Sequence, residues 1–290
     1  MEFWFVLAIV TSLFWGIGGV FAKYSTPKIG VARVALLIAT VEGAAYAGAY
    51  LVTRDGTPMD IGDMVFAAIS CMTGISGYLC FFESIMDGQV SIAGTISAAF
   101  PAFAVVGGLI FLSESLTWIQ SIGVVLVIGG VIALSYEADP TAPHAMSKRS
   151  LMFSLLAFGL WGIWSLTSKM AVDEVGESNV FGFYALASVT APLLYWWIRR
   201  LGPQSRSIEH PPLTPWILAG MALAINVSGT YAFTYALGLG TASLVVPIAS
   251  SYPLVTVVLA VIILKERVIR LHAVALSCVV AGLVFIGMTV

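Results

Sequence analysis

Long apolar runs, broken by short polar stretches, make up almost the whole chain. A membrane-spanning helix needs about 20 consecutive apolar residues. Ten runs approach that length: 3–23, 31–52, 62–85, 90–112 and 117–136 in the first half, and 151–171, 180–199, 214–238, 242–264 and 269–289 in the second. The polar stretch 137–149 (EADPTAPHAMSKR) separates the halves, and 200–212 carries Arg206, Pro203, Pro211 and Pro212. Turns at 53–60 and 172–179 fall at the same place in each half. The pattern predicts an all-α integral membrane protein with ten transmembrane helices.

The halves also share residues at fixed offsets. Ser91, Ile96, Pro101, Glu114 and Gly130 recur 152 positions later as Ser243, Ile248, Pro253, Glu266 and Gly282. Trp15-Gly16-Ile17 with Lys23 recurs 146 positions later as Trp161-Gly162-Ile163 with Lys169. The chain therefore divides into a first five-helix repeat over 1–138, a linker over 139–149 and a second repeat over 150–290, with about six extra residues inside the second copy. Five is odd, so the second copy enters the membrane inverted. The halves are then related by a pseudo-two-fold axis in the membrane plane, around a central cavity. Sorting Lys and Arg along ten helices puts 11 on one side and two, Arg54 and Lys169, on the other. By the positive-inside rule the rich side is cytoplasmic and both termini face outward.

Composition agrees: 59% of the residues are hydrophobic, 10% are charged and the mean hydropathy is +0.99. Soluble domains carry about 25% charged residues. The net charge of -2 and the lack of a long basic run give no sign of a nucleic-acid partner. Cys71, Cys80 and Cys278 lie in apolar runs without metal-ligand spacing and read as small buried side chains. His144, His210 and His272 fall in or beside loops. No nucleophile triad, phosphate loop or metal motif is present in the sequence, so no catalytic residue, metal or cofactor is expected. The first run lacks a basic n-region and an A-x-A site and carries a repeated motif, so it is expected to be a retained helix.

The chemistry is expected where the apolar pattern is interrupted. Pro101 and Pro253 sit at equivalent places inside long runs, and each withdraws a backbone donor and frees the carbonyl four residues earlier, those of Ser97 and Ala249. Paired interruptions of this kind mark a substrate site in repeat-built transporters. Ser97, Phe100, Ser250, Ser251 and Tyr252 flank them. On the opening helices, one face reads Trp15, Gly18, Gly19, Ala22, and its counterpart reads Trp161, Trp164, Ser165, Ser168. The small residues allow close helix contact, and the Gly18–Trp164 mismatch leaves room opposite an indole. Tyr78 and Asn226 add a phenol and an amide within spans, and Asn226 must face the bundle interior. Glu42 stands alone near the middle of the second helix, as a candidate for a coupling proton or for an interhelical partner; its repeat mate is near Ser188. Glu114 and Glu266 are expected to cap the next helix or to pair with loop cations such as Lys265, and Lys23 and Lys169 to snorkel.

The W-G-I…K openings, the stretch TYALGLGTASLVVPIASSYPLVTVVLAVIILKERV and its weaker copy FESIMDGQVSIAGTISAAFPAFAVVGGLIFLSESLT resemble the EamA-type repeat of the drug/metabolite transporter superfamily over nearly the whole chain. The resemblance implies a ten-helix secondary transporter with a central cavity open to one side at a time. The chain is most similar to the YddG-type exporters of aromatic and other apolar amino acids. Relatives often keep their termini in the cytoplasm, against the Lys/Arg count. The small four-helix cousins carry a proton-coupling glutamate in the first helix, whereas here no acid lies between Phe3 and Ala22.

The expected function is export of small neutral or zwitterionic metabolites across an inner cell membrane by alternating access, aromatic and apolar amino acids first. The substrate site is expected at Tyr78, Ser97, Phe100, Pro101, Trp161, Trp164, Asn226, Ser250, Tyr252 and Pro253, with Glu42 as the coupling candidate. Proton-coupled efflux of lipophilic compounds is the alternative. The partners expected are a small-molecule substrate and the lipid bilayer.

Overall fold

A computed structural model describes residues 2–54, 56, 58–86, 96–134, 147–200, 211–264 and 270–289, and they are helical throughout apart from short turns. Ser91, His144, His210, Lys265, Glu266 and Arg267 lie outside the described residues. The helices are α1 (Phe3–Ile29), α2 (Val31–Thr53), α3 (Ile61–Met86), α4 (Pro101–Phe111), α5 (Trp118–Leu134), α6 (Lys148–Val175), α7 (Glu177–Arg200), α8 (Leu213–Leu239), α9 (Ala242–Ala249), α10 (Tyr252–Leu264) and α11 (Arg270–Gly287). Among the described residues eight segments are long and apolar enough to cross a membrane; one of them, Ala242–Leu259, is broken between α9 and α10. Helices α4 and α5 are apolar but shorter. Large apolar side chains such as Phe111, Val125 and Val274 are exposed on the outside of the bundle, where lipid replaces water as the solvent. The protein is a multi-pass membrane protein.

Helices α1 and α6 run several residues past the limits read from hydropathy. Each ends at a glycine with positive φ, Gly30 (84°) and Gly176 (78°), whose N–H closes the last turn on Thr26 and Val172. These glycines are 146 positions apart, so the repeat extends to the helix stops. Polar residues such as Tyr24–Lys28 stay helical because the stop signal lies beyond them.

The helices pair across the halves. α1 packs on α8, α3 on α6, α2 on α7 and α5 on α11. The Trp-Gly pairs do this work twice. A Cβ on Gly229 would lie 2.6 Å from the Trp15 ring, and one on Gly77 would lie 2.7 Å from Trp161. Likewise a Cβ on Gly16 would lie 2.5 Å from Val255, and one on Gly162 would lie 2.6 Å from Phe103. Each tryptophan packs directly on a glycine of the opposite half, and each following glycine admits a helix that starts at the proline break.

The breaks differ from the kinks expected. Ile96 and Ser97 are helical, residues 98–100 turn, and Pro101 then opens α4 at its first position, where a missing N–H leaves no gap. The Ser97 carbonyl is not free: it accepts from the Phe100 N–H at 3.2 Å.

Glu114 reaches farther than expected. After α4 the chain reverses at Ser113 (φ 53°), and the Glu114 side chain folds over Gly108. Its carboxylate accepts the N–H groups of Ala242 (2.8 Å) and Ser243 (2.9 Å), capping α9 in the other half. Both amides belong to fully buried residues. Glu114→Ala is expected to lower stability by about 1–3 kcal/mol, the cost of orphaning buried donors. Glu114→Gln, which keeps one acceptor, should recover part of that loss in thermal unfolding of the detergent-solubilised protein.

Candidate functional site

The second helix contains one wide turn. Residues Ile38–Glu42 are π-helical, and the extra residue shifts the inward register to Ile38, Glu42 and Tyr46, leaving Val41 and Ala45 at the margin. Glu42 is thereby carried into the bundle, 1% exposed. Asn226 of α8 lines the same cavity as Glu42, and Glu42 Oε1 has no partner among the described residues. Tyr231 of α8 braces the helix just past the wide turn by donating to the Ala45 carbonyl at 2.6 Å.

Glu42 and Asn226 open onto a cavity of about 260 Å³. Pockets for drug-sized ligands run to about 300–1,000 Å³, so this one suits a single metabolite-sized molecule. Its walls are aromatic. Trp161 lies 5.4 Å from Phe81, 5.7 Å from Phe100 and 6.4 Å from Tyr78 between ring centres. Trp164 lies 6.2 Å from Trp15, which meets Tyr252 edge-on at 6.3 Å. Tyr46 stacks on Tyr184 at 5.1 Å.

The polar tips of these rings are fixed. The Trp164 indole N–H donates to the Tyr184 hydroxyl (2.9 Å), and the Trp161 N–H donates to the Gly74 carbonyl (3.2 Å). The Trp15 N–H reaches Thr230 Oγ1 (3.4 Å), which itself donates to the Asn226 carbonyl (3.1 Å). A Cβ on Gly74 would lie 2.6 Å from Trp164, so both indoles of α6 press against glycines of α3. Rings with satisfied tips and backbone behind them form a preorganised wall.

Of the residues expected at a substrate site, Tyr78, Phe100, Trp161, Trp164, Asn226, Tyr252 and Pro253 line the cavity, as does Glu42. Ser97, Pro101 and Ser250 do not. All three are buried: Ser97 is helical just before the first turn, Pro101 opens α4 after it and Ser250 lies in the second turn, because each break continues as a tight turn and a new helix rather than as an opened helix. The Ser250 hydroxyl has no partner among the described residues, whereas Ser251 bonds Ser12 across to α1 at 3.0 Å. The room opposite Trp164 is not at Gly18 either: a Cβ there would lie 3.1 Å from the Ala222 carbonyl, and Gly19 and Ala22 are the ones that face the cavity. Lys169 pairs with Asp173 at 2.6 Å, one turn on.

Sequence reasoning did not place Trp15, Tyr46, Tyr184 and Thr230 at the site. Trp15 has a signal in its offset of 146 from Trp161, and Tyr46 in its i+4 spacing from Glu42. Nor is Glu42 the only acid inside the bundle. Glu83, near the end of α3, is 1% exposed and holds Arg149 of α6 and Arg199 of α7, the latter at 3.2 Å. The Tyr195 hydroxyl also donates to it. That cluster does not line the cavity.

Comparison with known proteins adds four findings. The model of the EamA-like transporter family matches residues 2–136 and again 148–288. An uncharacterized protein of Methanocaldococcus jannaschii is 29% identical over 136 residues, covering 94% of that protein and 45% of this chain. The uncharacterized transporter YojE of Bacillus subtilis is 27% identical over 150 residues, about half of each chain (49% of this one, 48% of YojE). A solved crystal structure covers 99% of this chain and 96% of its own with TM-score 0.77; at 19% identity it speaks to the fold alone.

Proposed function

Because the chain belongs to the EamA-like transporter family, we propose that it is a secondary transporter in the cell membrane, with the aromatic cavity as its transport site. The observation that carries this reading is a cavity lined mainly by aromatic side chains, with one buried acid and one amide, drawn from both halves of the chain. Ten spans in two inverted repeats, 1–138 and 150–290 joined by 139–149, account for the reciprocal contacts of Trp15 with Gly229 and Trp161 with Gly77. A relative matched over 94% of its own length by less than half of this chain supports one repeat as the ancestral unit. Alternating access then consists of α3–α4 and α8–α10 rocking about the turns at 98–100 and 250–251.

The cavity favours a substrate with a flat apolar body and a small polar end. Aromatic and large apolar amino acids, the substrates of the YddG-type exporters that the sequence resembles, are the first class to test. Proton-coupled movement of lipophilic compounds is the second, and the placing of Glu42 on the cavity favours it. Uptake into liposomes holding the purified protein, over a panel of radiolabelled amino acids and lipophilic compounds with and without a pH gradient, separates the two. Trp164→Ala removes an indole from the wall and is expected to raise KM for an aromatic substrate about ten-fold, or about 1.4 kcal/mol, at normal expression. An unchanged KM removes Trp164 from the site.

A further inference from the structure

We infer that the start of α9 is a latch with two positions: Glu114 of the first half caps it while that end of the bundle is shut, and the hydroxyl of Thr241 takes its place when that end opens. The latch presupposes the alternating access proposed above and names the contact that must break in it. Trp4 of α1 and Glu177 of α7 pack on Gly240 and Gly238, just before α9, so the starts of α1 and α7 gather at this end with Glu114. The Glu83 cluster marks the opposite end. The cavity lining extends toward the Glu83 end, to Ala22, Phe82 and Leu134. No residue of α9 lines it; α9 runs from the turn at 250–251 out to Ala242 with all eight of its residues buried.

The seam between α9 and the first half is built to part. α9 packs on α4, where a Cβ on Gly108 would lie 3.4 Å from that of Ser243. The Glu114 carboxylate joins the two by accepting the Ala242 and Ser243 N–H groups. Glu114 itself is half-buried, so water reaches its carboxylate and can take over its bonds when it withdraws. The seam between α5 and α11 is of the other kind. There a Cβ on Gly123 would lie 2.9 Å from the Gly282 carbonyl, backbone meets backbone, and no side chain is available to let go.

The replacement cap is already in position. Thr241 is the N-cap residue of α9, with the extended backbone (φ -84°, ψ 144°) that an N-cap takes, yet its side chain makes no capping bond. An N-cap hydroxyl ordinarily accepts the N–H two or three residues on. The first of these, on Ser243, is held by Glu114, and the second, on Leu244, goes to the Thr241 carbonyl at 3.2 Å. Thr241 Oγ1 is left buried with no partner among the described residues, and so is Ser243 Oγ. Two buried hydroxyls without partners are a cost that the shut form carries at this one place. Withdrawal of Glu114 releases the Ser243 N–H to the Thr241 hydroxyl, and water entering the parted seam meets the Ser243 hydroxyl. Each form thus has its own cap for α9: one from the other half that ties the seam, or one from Thr241 that leaves it free.

The test uses the purified full chain in lipid nanodiscs, with Cys71, Cys80 and Cys278 replaced by alanine. Spin labels are carried on cysteines placed at Phe111, the last residue of α4, and Leu239, the last of α8, both exposed. Electron paramagnetic resonance then reads the distance between them, short when the seam is shut and long when it is parted. Glu114→Ala is expected to raise the ratio of long to short about ten-fold, the weight of hydrogen bonds to a charged group, with Glu114→Gln between it and wild type. Thr241→Val, read in wild type and in the Glu114→Gln background where the long distance is better populated, is expected to lower the ratio about five-fold, the weight of one helix cap. Thr241→Ser keeps the hydroxyl and should leave the ratio unchanged. Caps with a merely structural role weaken α9 in both variants and give no opposite shifts. Shifts in the same direction, or none where wild type shows two distances, overturn the latch and leave opening at both ends standing. One unchanging distance in wild type and in every variant overturns the latch and alternating access together. Should Glu114→Ala fail to fold, Glu114→Gln is read with the two Thr241 variants, and a ratio unmoved by Thr241→Val overturns the latch.

Discussion

Gly282→Leu is expected to force α5 and α11 apart and to destabilise the protein more than any single change in the cavity wall. A Cβ on Gly282 would stand 2.6 Å from the Gly123 carbonyl oxygen and 3.0 Å from the Val127 N, both backbone atoms of α5. Backbone cannot swing aside as a side chain does, so the helices themselves must separate. The contact is reciprocal: a Cβ on Gly123 would meet the Gly282 carbonyl at 2.9 Å, and one on Gly130 would meet the Ala275 carbonyl at the same distance. Gly130 and Gly282 are 152 apart, as are Gly123 and Ala275, so a single contact is made twice. Overpacking a core costs about 1–3 kcal/mol where side chains can adjust, and a backbone clash belongs at or above the top of that range. Thermal unfolding in detergent, followed by size-exclusion chromatography, reads the loss. The control is Gly129→Ala, on the partner helix α5 in open space, which should unfold like wild type. A Gly282→Leu protein as stable as wild type is incompatible with backbone contact between α5 and α11.

This seam shows what the sequence discloses and what it withholds. The offset of 152 is readable by eye, because duplicated residues keep their order along the chain. The meaning of the offset is not, because the residues that satisfy each copy lie in the other half. Glu114 is an example: its position after a helix suggests a local cap, yet its carboxylate closes α9, 128 residues away, and only the reversal at Ser113 aims it there. Of the aromatic lining, Phe100 and Tyr252 were legible beside the paired prolines, and Trp161 and Trp164 as one face of the helix that opens the second half. Ser97 and Ser250 were misplaced because hydropathy marks where a helix breaks but not whether the break opens or folds into a turn. The π turn at Ile38–Glu42 has no sequence signature at all, although it decides which way Glu42 points.

Glu83 lies outside the duplicated pattern, and removing it is the second substitution expected to have a large effect. Three helices meet on its carboxylate: α3 supplies it, α6 brings Arg149, and α7 brings Arg199 and the Tyr195 hydroxyl. One turn of α6 is tied to the same corner, with Ser150 donating to the Ser84 carbonyl at 2.7 Å. Arg199 already has one buried nitrogen, Nη2, without a partner among the described residues. Glu83→Ala would leave that guanidinium with an uncompensated buried charge. Breaking one side of a buried pair costs about 3–5 kcal/mol. Arg149 is 37% exposed and its share is screened by solvent, so the expected loss is about 3 kcal/mol, the low end of that range. Removing both partners is a different matter, because an apolar pair of similar volume needs no desolvation. Glu83→Leu/Arg199→Met should therefore unfold at a higher temperature than either single variant. Phe81 and Phe82, the two residues before Glu83, line the cavity, so loosening this corner also frees one end of the aromatic wall. Transport by Glu83→Ala is expected to fall with stability, and Glu83→Gln, which keeps the acceptor for Tyr195, should lie between it and wild type. Single variants as stable as wild type would show that the cluster is not what fastens α3 to α6 and α7.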